Sequence, residues 1–312
     1  SDAVAGYIAR RLLFLPIILF FVSLMTFTIF RIVPGDPVVV MLGPKYRPEV
    51  AERLREELGL KRPFLVQYGD YMWGFVRGDF GESFIKRGVP VRDLILPKMW
   101  LSVRLAAAAM AISIVIGLPL GFFIAHKQGS WIDPAIVSAT LVIMAIPIMV
   151  TLPVLLLTFC TKLHWVPCSG WTGGFDSRIL IPAVGLGVIG VAALARLMRA
   201  STLDVLGQDF IRTAHAKGLS PVQVDRRHVF KNAMIPIVTI LAFSLAGLIG
   251  GSFIVERIMG IPGIGGFFLD SIFQRDFPVT MAITLIGAIF FVVANLLADL
   301  IYAYFDPRIR YS

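Results

Sequence analysis

LAAAAMAISIVIGLPLGFFIA, residues 105–125, runs for 21 residues without one Asp, Glu, Lys or Arg. Crossing the hydrocarbon core of a bilayer takes about 20 apolar residues at about 1.5 Å of rise each. Five further uncharged runs flank it: Leu12–Phe30, Pro134–Thr161, Ile179–Ala195, Ala233–Val255 and Phe277–Ala298. Each is long enough to span, the run 179–195 only just. The pattern predicts an all-α polytopic membrane protein with six transmembrane helices. Composition points the same way: 57% of the 312 residues are hydrophobic and 16% charged, with mean hydropathy +0.82. Soluble domains carry about 45–50% apolar and about 25% charged residues. Disorder, a nucleic-acid-binding tail and most soluble enzymes are thereby excluded.

The net charge of +9 belongs to the membrane setting, because cytoplasmic loops collect Lys and Arg. Arg10 and Arg11 precede the first span. His126 and Lys127 follow the second, and Arg196, Arg199, Arg212, Lys217, Arg226, Arg227 and Lys231 follow the fourth. Arg308 and Arg310 follow the sixth. Even-numbered spans thus return to one basic side, which places both termini in the cytoplasm. The partner expected here is membrane lipid, with no nucleic acid. The first run is followed by Arg31-Ile32-Val33-Pro34-Gly35-Asp36-Pro37, with no small-residue cleavage site, so it reads as a retained helix rather than a signal peptide. Four regions follow: an N-terminal flank and first helix, 1–33; an external segment, 34–98; a core with the second to sixth helices, 99–305, including a cytoplasmic loop 199–232; and a cytoplasmic tail, 306–312. Within the external segment, Val50, Leu54 and Leu58 recur at helical spacing and Gly59 is a natural stop.

Catalytic patterns are missing. There is no Gly-x4-Gly-Lys-Ser/Thr and no His-Glu-x-x-His, so neither a P-loop nor a zinc protease site is expected. No catalytic residue and no metal ligand is assigned, and an intramembrane enzyme ranks third among the function classes. Arg104, Arg196, Glu256 and Asp299 fall near predicted membrane faces, which disfavours a proton relay. Gly185-Leu186-Gly187-Val188-Ile189-Gly190 matches a dinucleotide fingerprint in letters only. It lies inside an uncharged span, where small residues allow close helix packing.

The loop 199–232 is the most informative. Arg199 to Lys217 is patterned as a helix. Gly218 can take the left-handed conformation that ends one. Ser220 can cap a second helix with Pro221 at its first position, running through Val222 to Asn232. The outcome is a slim, rigid knob that suits a cleft in a partner protein, or else an ordinary basic surface loop.

Thr213-Ala214-His215-Ala216-Lys217-Gly218, followed by His228 and Asn232-Ala233-Met234-Ile235-Pro236, resembles the coupling loop of peptide-family permeases, the membrane subunits of ATP-binding-cassette importers. The broader importer motif is Glu-Ala-Ala-x3-Gly-x9-Ile-x-Leu-Pro. Arg212 and Thr213 replace its first two residues and His228 to Lys231 its ending, a departure typical of the peptide branch. Further matches extend over nearly the whole chain, among them Tyr7 to Leu13, Pro34-Gly35-Asp36-Pro37, Gly78-Asp79-Phe80-Gly81-Glu82-Ser83, Gly260-Ile261-Pro262-Gly263-Ile264-Gly265, Arg275-Asp276-Phe277-Pro278 and Asp306 to Tyr311. Leu101-Ser102 stands where many relatives have Pro-Thr. The resemblance is to the "B" permease of dipeptide, oligopeptide, glutathione or nickel importers.

That resemblance implies a type I importer permease fold and a bacterial or archaeal cytoplasmic (inner) membrane. It also implies a homologous second permease, two cytoplasmic ATPases and an external binding protein that delivers the solute. This chain would hold no cofactor, ATP and Mg being bound by the partner subunits. Arg212, Thr213, Ala214, His215, Ala216, Lys217, Gly218 and Leu219 would carry ATPase motion into the membrane. Met144, Ser244 and Ser252, adaptable or polar in apolar spans, are candidates for the solute pathway. An ion-coupled or passive transporter is the alternative. Cys160 and Cys168 fall on the external side by the charge argument, close enough in sequence to bridge; Cys160 as a buried apolar residue is the other reading.

Overall fold

A computed structural model describes residues 2–32, 36–174 and 176–305. The tail 306–312 and the Pro34-Gly35 pair lie outside the described residues. All six uncharged runs are helical: the first lies in α1 (Asp2–Ile32), the second in α5 (Val91–His126), the third in α6 (Ile132–Ala145) and α7 (Ile148–Leu155), the fourth in α8 (Leu180–Leu206), the fifth largely in α11 (Phe230–Gly250) and the sixth in α14 (Phe277–Phe305). Between them, α2 (Pro37–Leu42), α3 (Pro48–Glu57) and α4 (Phe64–Val76) form the segment after α1. Helix α5 (Val91–His126) begins inside the region 34–98. At about 1.5 Å per residue its 36 residues reach roughly 54 Å, well beyond a hydrocarbon core of about 30 Å. It is thus longer than a single crossing requires.

The third run does not form one straight span. α6 (Ile132–Ala145) and α7 (Ile148–Leu155, continued by a wide π turn to Lys162) meet at 97°. Pro147 has no N–H to donate and forces Ile146 out of the helical region, to φ −83° and ψ 118°. The fifth run also breaks. α11 (Phe230–Gly250) stops at Gly251, whose φ of +67° suits glycine, and α12 (Phe253–Met259) and α13 (Ile264–Phe273) make a hairpin before α14 (Phe277–Phe305).

Helices α5 and α8 (Leu180–Leu206) form the central contact of the core. Glycines let them close: a Cβ on Gly121 would sit 2.3 Å from the Ala195 carbonyl oxygen, and one on Gly190 would sit 2.1 Å from Ser113 Oγ. Ser113 Oγ donates to Gly187 O at 3.0 Å across the same contact. The Gly185–Gly190 run is thus helical and serves packing, with no strand before it among the described residues.

The segment between α1 and α5 has its own small core of Val38, Ala51 and Leu54. Val50, expected on the apolar stripe of α3, is 43% exposed; Ala51 takes the inner position because α2 covers that side of the helix. Asp36 caps α2 through Val38 N and accepts from Arg55 Nε at 2.7 Å. Lys61 beside Glu52 holds the Glu52 carboxyl below its ordinary range. Ser23 Oγ on α1 meets Tyr68 OH on α4 at 2.7 Å, and Phe27 stacks edge-on with Phe64 and Tyr68. A cavity of about 690 Å³ lies between α1, this segment and the start of α14, lined by Phe27, Phe30, Tyr71, Phe84 and Phe277. Burial pushes the Tyr71 hydroxyl pKa up.

Candidate functional site

The loop after α8 is shorter in its helices than the sequence pattern suggests. α8 ends at Leu206, and Gly207 and Gln208 separate it from α9 (Asp209–Ala216), so Arg199 to Lys217 is two helices rather than one. Gly218 has φ +80°, a conformation that excludes most side chains at little penalty to glycine. Ser220 N then donates to Gln223 Oε1 at 3.0 Å and opens α10 (Pro221–Val224). The second helix is not free-standing: α10 passes through a π turn, Asp225–Val229, into α11. The knob is therefore the direct extension of the long apolar helix α11.

Its inner face is apolar. Ile211 and Ala214 are buried against Val224 and Val229, with Phe122, Val205, Leu206 and Leu219 closing the cluster. Arg212, Thr213, His215, Ala216, Lys217 and Gly218 stay exposed on the outer face. Two contacts missed by sequence reasoning tie the knob to α5. Phe122 packs on Phe230 at a ring distance of 5.8 Å. His126 Nε2 meets Asp225 Oδ1 at 3.0 Å. Both depend on long-range packing that no local motif announces. These contacts join the knob to α5, α8 and α11.

A further link lies nearby. Asp133 at the start of α6 accepts from Arg199 Nε at 2.6 Å and Nη2 at 2.7 Å, a two-pronged pair between α6 and α8. At the opposite end of α11, Glu256 is 1% exposed. Its Oε1 accepts from Ser102 Oγ at 2.6 Å and its Oε2 from Gly266 N at 2.8 Å. Ser102 Oγ in turn accepts from Ile264 N at 2.9 Å. A Cβ on Gly263 would fall 2.3 Å from the Glu256 carboxyl carbon, so glycine makes the space for that charge. This arrangement fastens the α12–α13 hairpin to α5.

The pathway candidates stand on three separate elements. Met144 is 43% exposed at the end of α6. Ser244 is exposed on α11, with its hydroxyl donating to Ile240 O at 2.9 Å. Ser252 is half-buried at the start of α12. Cys160, 4% exposed, and Cys168 are joined, with Cα atoms 5.3 Å apart. Next to them, Arg104 Nη1 donates to Gly173 O at 2.8 Å. No cluster of three metal-ligating side chains occurs among the described residues.

Known proteins share this fold. One chain of a solved inward-facing MetNI methionine ABC transporter superposes with a TM-score of 0.54 over 68% of this chain and 96% of that one, at 18% identity. Residues 117–311 match the family described as binding-protein-dependent transport system inner membrane component, and residues 4–91 match the corresponding N-terminal family. Oligopeptide transport system permease protein AppB of Bacillus subtilis (strain 168) is 37% identical over 98% of this chain and 100% of its own length. Dipeptide transport system permease protein DppB of Alkalihalophilus pseudofirmus is 35% identical over 98% and 99%, and the OppB permease of Haemophilus influenzae 34% over 98% and 99%. Fold and relatives together define a non-catalytic membrane subunit of an ABC importer, which works with ATPase and substrate-binding partners. The chain belongs to the binding-protein-dependent transport system inner membrane component family.

Proposed function

We propose that this subunit forms half of the translocation path of an ATP-driven importer for di- or oligopeptides or similar small solutes. In this reading the other half is a homologous permease, two ATPases bind the cytoplasmic face, and an external protein delivers the solute. ATP and Mg are handled by the ATPases. Both termini and the α9 knob lie in the cytoplasm of a bacterial or archaeal cell, and residues 34–98 lie outside. One observation carries the coupling role: α9 ends on Gly218 in the left-handed region, with Ile211 and Ala214 locked into the membrane helices and Arg212 to Lys217 presented outward. A short helix seated in this way moves as one body with α11. The relatives named as peptide permeases support the solute class.

The test is reconstitution. Co-expressed with its neighbouring permease and ATPases, the chain is expected to co-purify with them and to support ATP-dependent peptide uptake into vesicles supplied with the binding protein. Uptake that persists without ATPases would refute the reading. Orientation is read separately: a single cysteine placed near Lys45, in a variant lacking Cys160 and Cys168, is expected to react with an impermeant thiol reagent on intact spheroplasts.

A further inference from the structure

Arg196 and Arg199 lie one turn apart on α8, and their side chains meet different fates. Arg199 is satisfied by both oxygens of Asp133. Arg196 is exposed, and its side chain meets no carboxylate and no carbonyl among the described residues; its one polar contact is Nη1 to Met144 Sδ at 3.6 Å. That contact fixes its depth. Asp133 marks the cytoplasmic start of α6, and Met144 is eleven residues further on, roughly 16 Å along the helix and about halfway through a hydrocarbon core of about 30 Å. The sequence position of Arg196, one residue beyond an uncharged run, suggests a membrane face. The side chain instead reaches inward.

The place it reaches is the 97° break between α6 and α7. A helix end leaves backbone carbonyls without partners in their own helix. Here that polar ring opens in the middle of an otherwise apolar run, beside the exposed Met144, Ile146 and Met149. Broken helices at mid-membrane and unpaired intramembrane charges both mark solute sites. Carbonyl dipoles at the end of α6 also favour a cation there, but they leave the donors of the guanidinium fork unused. What that fork lacks is a planar anion with two oxygens.

We propose that Arg196 receives a carboxylate group of the transported solute as it passes the α6–α7 break, with Met144 as the flexible wall beside it. This rests on the importer reading above and adds to it the charge class recognised in the membrane. The partner would be a group such as a peptide's terminal carboxylate, held by two parallel N–H···O bonds.

The experiment compares a tripeptide with a free C-terminus and the same tripeptide as its C-terminal amide. Uptake is measured in proteoliposomes carrying the assembled transporter, with binding protein saturated by either ligand and ATP supplied. The wild-type complex is expected to take up the free acid roughly tenfold faster than the amide, the order expected of one charge-assisted pair. Arg196→Gln should bring that ratio close to one. Arg196→Lys, which keeps the charge but loses the fork, should give an intermediate ratio and guards against a glutamine variant that fails to assemble. A wild-type ratio near one, or a ratio unchanged in both variants, overturns the assignment. Equal loss for both peptides also overturns it and points to an acid of the second permease, or to a lipid phosphate if the loss follows anionic lipid content. Absence of any ATP-dependent uptake by the wild-type complex refutes the importer reading itself, and this assignment with it.

Discussion

Ser83 and Asp276 are 193 residues apart in sequence and share a buried hydrogen bond, Ser83 Oγ donating to Asp276 Oδ2. The Phe84 N–H donates to the other carboxylate oxygen at 3.0 Å. Two short stretches that read separately in the sequence, Gly78 to Ser83 and Arg275 to Pro278, are thus two sides of one joint. It clips the segment after α1 onto the start of α14.

Removing the acceptor should open this joint. Asp276 is 4% exposed, so Asp276→Ala strands the buried Ser83 hydroxyl and the half-buried Phe84 N–H, at a cost of roughly 1–3 kcal/mol. The expected outcome is a lower apparent melting temperature of the detergent-purified complex and faster tryptic cleavage between Lys45 and Arg87. Asp276→Asn keeps one acceptor and should lie between the two. Wild-type cleavage of the alanine variant would show the clip to be dispensable.

The α5–α8 contact should resist any added side chain. At Gly121 the obstruction is backbone, the Ala195 carbonyl at 2.3 Å from a new Cβ. Gly121→Val therefore forces the helices apart, with an expected loss of roughly 1–3 kcal/mol. Gly287→Ala on α14, where a Cβ meets nothing within 4 Å, is the matched control and should be neutral or slightly stabilising. Thermal unfolding of both variants in the same detergent makes the comparison.

At the knob the constraint is conformational rather than spatial. A Cβ on Gly218 meets nothing within 4 Å, yet φ is +80°. Gly218→Val should distort the turn, at about 1–2 kcal/mol of local strain, and uncouple ATP hydrolysis from uptake while the complex still assembles. Gly218→Asn, which tolerates the left-handed region, should retain most coupling. Normal uptake per ATP in the valine variant would remove α9 from the coupling role.

The Cys160–Cys168 bridge is checked by mass. After alkylation under denaturing, non-reducing conditions the chain should carry no adduct, and two after reduction. Closing so short a loop contributes roughly 2–3 kcal/mol in a chain-entropy estimate. Cys160→Ala/Cys168→Ala is therefore expected to lower the apparent melting temperature by several degrees without abolishing insertion.

Six helical membrane runs and the Gly218 turn were legible from the sequence because each rests on local physics. An uncharged run of about 20 residues prefers the bilayer whatever surrounds it, and a left-handed turn selects glycine at its own position. Legibility stopped where local preference competes with packing. Pro147 announced a break in the third run but not its 97° angle, and α3 turned Ala51 rather than Val50 inward because of α2. The patterning from Arg199 to Lys217 concealed the interruption at Gly207 and Gln208.

By itself, the sequence determined that the chain is a bundle of membrane helices with a slim loop between the fourth and fifth runs. Only the tertiary structure decided which charges are satisfied. Arg199 has Asp133, and Arg196 meets no acid among the described residues; Glu256 has Ser102 from 154 residues away; Asp276 has Ser83. Burying a charge is strongly unfavourable unless a partner comes within hydrogen-bond reach. That partner is fixed by how helices pack across tens to hundreds of residues, a relationship that no span or motif encodes on its own.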